Sequence, residues 1–251
     1  MEWWEAILLG LVQGVCEFLP VSSSGHLILV ERWLGLHSDM MFFNVAVHFA
    51  TLLSVMIALR EQVWAVVRHP TGPVARLIVI SFLPTAALAL LFQFLLPDLV
   101  EGACLAVGFA GTACVLAATA LFSGRGIKPA AAMSARDALI AGAAQGIAVL
   151  PGLSRSGTTI AALTLRGVER KEAVRFSFLM SIPVILASMA FELLSFRPEQ
   201  IEWLPYLLAF VTALASGYLA VRFMIRLFSE KATWPFAVYM VGMAVLTLLT
   251  A

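Results

Sequence analysis

The sequence predicts an all-α polytopic membrane protein with an inverted-topology repeat, in which six transmembrane helices accompany two re-entrant helical hairpins. Three observations predict it: an apolar composition, six apolar stretches of bilayer length, and a gapless internal repeat centred on two polar breaks. Of 251 residues, 61% are hydrophobic and 12% charged, with a mean hydropathy of +0.97, whereas soluble domains carry about 25% charged residues. A formal net charge of +1 gives no basic field over the whole chain, which argues against nucleic acid as a partner. Cys16, Cys104 and Cys114 all fall in apolar stretches without CxxC spacing, so neither a disulfide framework nor a zinc site is expected. The start, Met1-Glu2-Trp3-Trp4-Glu5, is acidic where a cleavable signal peptide is basic, so no such peptide is expected.

A hydrocarbon core about 30 Å thick asks for about 20 apolar residues per helical span. The chain is expected to form a single membrane domain over 1–251. Repeat one, 1–122, starts with a hairpin at 4–34 and continues with spans at 42–59, 76–96 and 101–122. A loop at 123–136 leads to repeat two, 137–251, with a hairpin at 137–165 and spans at 176–196, 203–224 and 234–249. Each hairpin consists of two short apolar pieces broken by proline, glycine and serines. In hydrocarbon, such a break survives only where protein or a water-filled cavity satisfies the freed backbone groups. The tryptophans sit mostly near span ends, as interface anchors do.

A shift of 132 residues, the separation of Gly10 and Gly142, lays Gly10, Gln13, Gly14, Ser22, Ser24, Gly25 and Ile28 on Gly142, Gln145, Gly146, Ser154, Ser156, Gly157 and Ile160; Pro20 and Pro151 are one position out of register. That is an internal repeat. A hairpin returns to its own face, so three further crossings insert the second copy upside down. With this topology thirteen of the sixteen basic residues fall on one face, among them Arg60, Arg125, Lys171, Arg175, Arg222, Arg226 and Lys231, against Arg32 and Arg197 on the other. The rich face is then cytoplasmic and both termini periplasmic. Arg155 is left at membrane depth, where an arginine costs about 2.5–3.5 kcal/mol on insertion scales and asks for an anionic neighbour.

The first break runs from Gln13 through Glu17, Pro20, Ser22, Ser23 and Ser24 to His26; the second runs from Pro151 through Ser154, Arg155 and Ser156 to Thr159. Both put hydroxyls where a half-helix begins, and the unsatisfied N–H groups of a helix start bind phosphate. Arg155 extends the donor set. Glu17 and His26 add a carboxylate able to hold a divalent cation or take a proton and an imidazole able to move one. Together they describe phosphoryl transfer.

At these residues the chain resembles undecaprenyl-diphosphate phosphatase, the bacitracin-resistance family. The matching segments are a Glu/Gln-x-x-x-Glu run at Gln13 to Glu17, PVSSxGH at Pro20 to His26, and PGxSRSxxT at Pro151 to Thr159. The resemblance implies removal of one phosphate from undecaprenyl diphosphate with a divalent cation, Mg2+ or Ca2+, regenerating the carrier lipid for cell-wall synthesis in the bacterial inner membrane. It maps onto Glu17, Ser22, Ser23, His26, Ser154, Arg155, Ser156 and Thr159, while Gln13 stands where the motif can be acidic. Glu17 is therefore the carboxylate expected at the cation. The resulting expectation has Ser23 attacking the terminal phosphorus, His26 shuttling the proton, Arg155 clamping charge, and Ser22, Ser24, Ser154, Ser156, Thr159 and Gln13 binding phosphate. Attack by His26 or by water is left open, and a periplasmic opening of the site is expected.

Plainer readings stand beside these. Gly10-x3-Gly14 and Gly142-x3-Gly146 fit close helix packing and are left out of the site, and small-residue faces make a homodimer plausible. Glu17 and Arg155 could form a structural ion pair. His48, inside an apolar span, could face the site or a neighbouring hydroxyl; Arg175 reads as a cytoplasmic-edge anchor, and His37 and His69 as loop residues. The competing function is a secondary transporter or lipid flippase, because inverted repeats with broken helices are a common carrier architecture.

Overall fold

The computed structural model describes residues 1–36, 40–100, 104–122, 126–194, 203–227 and 233–250. Twelve α-helices run along these residues: α1 (Trp3–Phe18), α2 (Ser23–Leu34), α3 (Met41–Ala58), α4 (Arg60–Arg68), α5 (Pro73–Leu95), α6 (Pro97–Val100), α7 (Leu105–Phe122), α8 (Ala135–Ile147), α9 (Arg155–Leu165), α10 (Arg170–Leu194), α11 (Trp203–Leu227) and α12 (Trp234–Leu249). A 3-10 turn at Ala130–Ala132 and one isolated bridge between Lys128 and Val168 complete the regular structure among the described residues.

Among the described residues four helices, α5, α7, α10 and α11, are long and apolar enough to cross a membrane. A fifth crossing follows if α3 and α4, bent by 85° at the break between them, form one broken span; α12 is shorter at 16 residues. Leu83, Phe94, Leu204 and Leu219 are each more than 60% exposed, the apolar surface expected of a multi-pass membrane protein. The expected span 101–122 begins, and 176–196 ends, outside the described residues, as do His37, Arg125, Arg197 and Lys231.

Two elements differ from the hydropathy reading. α10 begins at Arg170, before the apolar run, because Arg170, Lys171, Glu172 and Arg175 are good helix formers whose charges sit in its first turns. α4 is an amphipathic helix with no buried residue, too polar to register as a span.

Helix packing explains the glycines. α1 lies along α11, and α8 along α5. A Cβ on Gly10 would strike the backbone carbonyl of Ala209 in α11; one on Gly142 would strike that of Ser81 in α5. Only glycine lets these backbones approach so closely. α3 also packs on α11, and α7 on α12. Phe18 and Phe178, fully buried or nearly so, meet edge to face at 5.3 Å and join α1 to α10. At one rim, buried Asp137 caps the start of α8 with Ser134 and takes ion pairs from Lys128 and Arg166, each at 2.9 Å. This anchors the loop before α8 to the residue after α9.

Candidate active site

α1 stops at Phe18 because Pro20 holds Leu19 extended, at φ −71° and ψ 149°. The chain then turns sharply. Ser22 sits at φ 68°, the one non-glycine residue with positive φ among those described, a conformation that costs about 1–3 kcal/mol and persists only when neighbours over-determine it. They do: Ser22 Oγ accepts from the N–H of Gly25 at 3.4 Å and of Gly152 at 3.1 Å, and its carbonyl accepts from His26 Nδ1 at 2.7 Å. The break between α8 and α9 repeats the device, since Ser154 Oγ accepts from the N–H of Gly157 at 3.1 Å. Thr112 of α7 braces it, donating to the carbonyl of Gly152 at 2.7 Å and accepting from the N–H of Ser154 at 2.8 Å.

The two tips meet on one carboxylate. Glu17, buried at the end of α1, receives Arg155 Nη2 on Oε1 at 2.7 Å. Its Oε2 accepts from Ser23 Oγ at 2.5 Å and from Gln13 Nε2 at 3.1 Å. Ser156 Oγ adds a bond to the carbonyl of Leu19 at 2.9 Å. An isolated charge at this depth would be prohibitive, so each partner explains the other. The pair faces a cavity of about 510 Å³, within the range of small-molecule sites.

The cavity wall carries Glu17, Ser22, Ser23, Ser24, Ser154 and Arg155. The other residues expected at the site stand behind it. Gln13 is fully buried against Glu17, and Ser156 points to Leu19. Thr159, one turn along α9, bonds to the carbonyl of Arg155 at 2.8 Å and to Ser177 of α10 at 2.6 Å. His26 has both ring nitrogens engaged: Nδ1 donates to Ser22, which leaves neutral Nε2 to accept from the Tyr239 hydroxyl at 2.7 Å. Its ring stacks on Tyr239 and meets Phe109 edge-on.

Sequence reasoning left out several cavity residues. His48 is in the wall, with Nδ1 on the carbonyl of Asn44 at 2.8 Å; its reading was open. Gln145 is there too, and as the repeat mate of Gln13 it carried a usable signal. Gln93, Ser188 and Glu192 line the far end, Ser188 donating to Glu192 at 3.3 Å. Nothing local in sequence marks Tyr239 or Ser177.

Among the described residues no group of three or more His, Cys, Asp or Glu comes together to cage a metal ion. The donor set suits a cation that arrives with its own oxygens: Glu17 offers one carboxylate, and Gln13 Oε1 is buried without a partner beside it. Hard divalent cations accept such mixed sets when substrate phosphates complete them.

The family model described as bacitracin resistance protein BacA matches residues 6–246. This chain belongs to that family. Among curated relatives, an undecaprenyl-diphosphatase of Carboxydothermus hydrogenoformans is 38% identical over 100% of this chain and 99% of its own length. One of Halothermothrix orenii is 35% identical over 99% and 98%, and undecaprenyl-diphosphatase 2 of Streptomyces coelicolor is 33% identical over 98% and 93%. In this BacA-family chain, the two polar segments that carried the resemblance are the breaks between α1 and α2 and between α8 and α9, which meet at the cavity.

Proposed function

We propose that this membrane protein hydrolyses undecaprenyl diphosphate to undecaprenyl phosphate and inorganic phosphate, recycling the carrier lipid and conferring resistance to bacitracin. Membership of the family and the activity named for its curated relatives support this. The observation that carries it into chemistry is Glu17, held by Ser23 from its own hairpin and Arg155 from the other.

In our scheme the terminal phosphate enters the cavity and takes Arg155 as its clamp. Ser23 Oγ attacks the terminal phosphorus in line; its proton passes to Glu17 Oε2, already 2.5 Å away. The phosphoanhydride bond breaks, undecaprenyl phosphate leaves, and water then hydrolyses the phosphoserine. Arg155 and the N–H groups at the starts of α2 and α9 offset charge on the transferring group. Mg2+ or Ca2+, bound with the substrate, would be held by Gln13 and by Glu17 Oε1, the oxygen that Arg155 leaves on turning to the phosphate, and would neutralise diphosphate charge. His26 can act as a shuttle only by exchanging Tyr239 for the reacting groups; in its present bonds it orients the Ser22 turn.

The same reading keeps six spans and two re-entrant hairpins in an inverted repeat, with repeats at 1–122 and 137–251. The glycine contacts support it, since Gly10 against α11 and Gly142 against α5 are mates under the 132-residue shift. With the basic face cytoplasmic, the cavity opens towards the periplasm: its wall uses the C-terminal half of α10, from Val184 to Glu192, and the far end of α5 at Gln93, both remote from the basic ends of these helices. Membrane lipid covers the exposed apolar faces.

Phosphate release from undecaprenyl diphosphate by detergent-solubilised protein tests the function. Release that stops with EDTA and returns with Mg2+ or Ca2+ is expected. No release under any cation would sink the enzyme reading and favour a carrier, which has no second compartment in detergent. Rapid quenching should trap phosphate on Ser23; label on His26 would overturn the nucleophile.

A further inference from the structure

At the other end of α10 from the candidate active site lies a second cavity, of about 750 Å³. It is walled by the end of α3, the start of α4, the first turns of α10 and the last turns of α11. The 85° bend between α3 and α4 opens it. Along α10, Lys171 in this cavity and Ser188 in the other are separated by about 25 Å at 1.5 Å per residue. The two are distinct sites.

Five cations converge on this wall: Arg60, Lys171, Arg175, Arg222 and Arg226. Among the described residues of this wall, Glu61 is the one acid. Among the described residues Arg60, Lys171 and Arg222 make no ion pair. Arg175 is paired with Glu172 at 2.8 Å, yet its Nε–H is buried with no acceptor. Tyr218 adds a hydroxyl, and Ile57 and Phe223, each 50% exposed, make an apolar rim.

Two plainer explanations fall short. Membrane orientation needs cations on this face, but it does not need them gathered from three helices around one cavity. Nor does the packing need them. Under the 132-residue shift Arg222, Arg226, Arg175 and Arg60 correspond to Leu90, Phe94, Phe43 and Glu192, so equivalent positions are filled without a cation. Like charges held together repel, and an anion in their midst relieves them. Arginine forks match phosphate oxygens in pairs, with Lys171 as a point charge.

We propose that this basic cavity is a binding site for a phosphomonoester, carried by a lipid whose chain leaves across the Ile57 and Phe223 rim. It is separate from the hydrolytic site and does not depend on the phosphatase reading.

Native mass spectrometry of the full-length protein in detergent tests it, with phosphatidic acid as the lipid phosphomonoester, phosphatidylcholine as the zwitterionic control and inorganic phosphate as the chain-free arm. Wild type should retain phosphatidic acid over phosphatidylcholine. The Lys171→Gln/Arg222→Gln double variant should lose that retention by about tenfold or more, and Arg32→Gln, on the other face, should keep it. Retention of phosphatidic acid unchanged in the double variant, or no preference over phosphatidylcholine in wild type, would overturn the site. Inorganic phosphate binding as tightly as phosphatidic acid would overturn the lipid source. If the double variant does not fold, Lys171→Gln alone is read the same way. Hydrolysis measured on the same preparations separates the two readings, because neither Lys171 nor Arg222 belongs to the reaction and the double variant should turn over as wild type does.

Discussion

Glu17 is the residue on which the starts of α2 and α9 converge, and its neighbours set what each substitution should do. Arg155→Ala removes both the clamp and the charge that makes buried Glu17 tolerable. Hydrolysis should fall about 10²–10³-fold or more, the range for losing one preorganised donor, and the melting temperature should fall as well, because an uncompensated buried charge costs about 3–5 kcal/mol. Glu17→Gln separates these effects. The amide keeps the shape and can accept from Ser23, but it cannot take the proton, so turnover should collapse while the protein still folds. Phosphate release and thermal melting on the two variants check both outcomes; near-normal turnover in Glu17→Gln would remove it as the base.

At the scale of elements, the close crossings of α1 on α11 and α8 on α5 should tolerate no side chain. Gly10→Leu or Gly142→Leu must push a helix off a backbone carbonyl, so each should lower the melting temperature and reduce hydrolysis without touching the polar tips. At the rim, Asp137→Ala leaves Lys128 and Arg166 facing each other without their shared anion and strips the cap of α8. Both cations are partly exposed and can hydrate, so a loss of about 1–2 kcal/mol in stability, the range of a lost helix cap, is expected, with the reaction itself unchanged in the protein that remains folded. Much of this level was legible in sequence: apolar length located the long helices, and the repeat located both polar breaks with their serines. Ser22, Ser23, Ser24, Ser154 and Arg155 also share the cavity wall, while Ser156 and Thr159 stand behind it. What sequence concealed depends on distant partners or on weak hydropathy. His26 finds Tyr239 213 positions away, Thr159 turns to Ser177, and α4 is too polar to be seen as part of a broken span.

For the whole molecule, orientation is the property with most consequence. If the basic face is cytoplasmic, single cysteines introduced at Glu2 and Thr250 in a chain lacking its own three cysteines should react with an impermeant maleimide in intact cells, while one at Arg136 should react only after lysis. The opposite pattern would invert the molecule and turn the active-site cavity towards the cytoplasm. Such a pattern would leave the chemistry at Glu17 intact and change only the leaflet from which lipid is drawn.

The pairing of Arg155 with Glu17 also bears on turnover. A resident carboxylate occupies the guanidinium whenever the pocket is vacant, so every incoming phosphate must win that guanidinium from an internal rival. A diphosphate, with more charge and a second phosphorus for neighbouring N–H groups, is equipped to win. The orthophosphate left at the end carries less, and the return of Glu17 to Arg155 would help expel it, tying product release to recovery of the starting state.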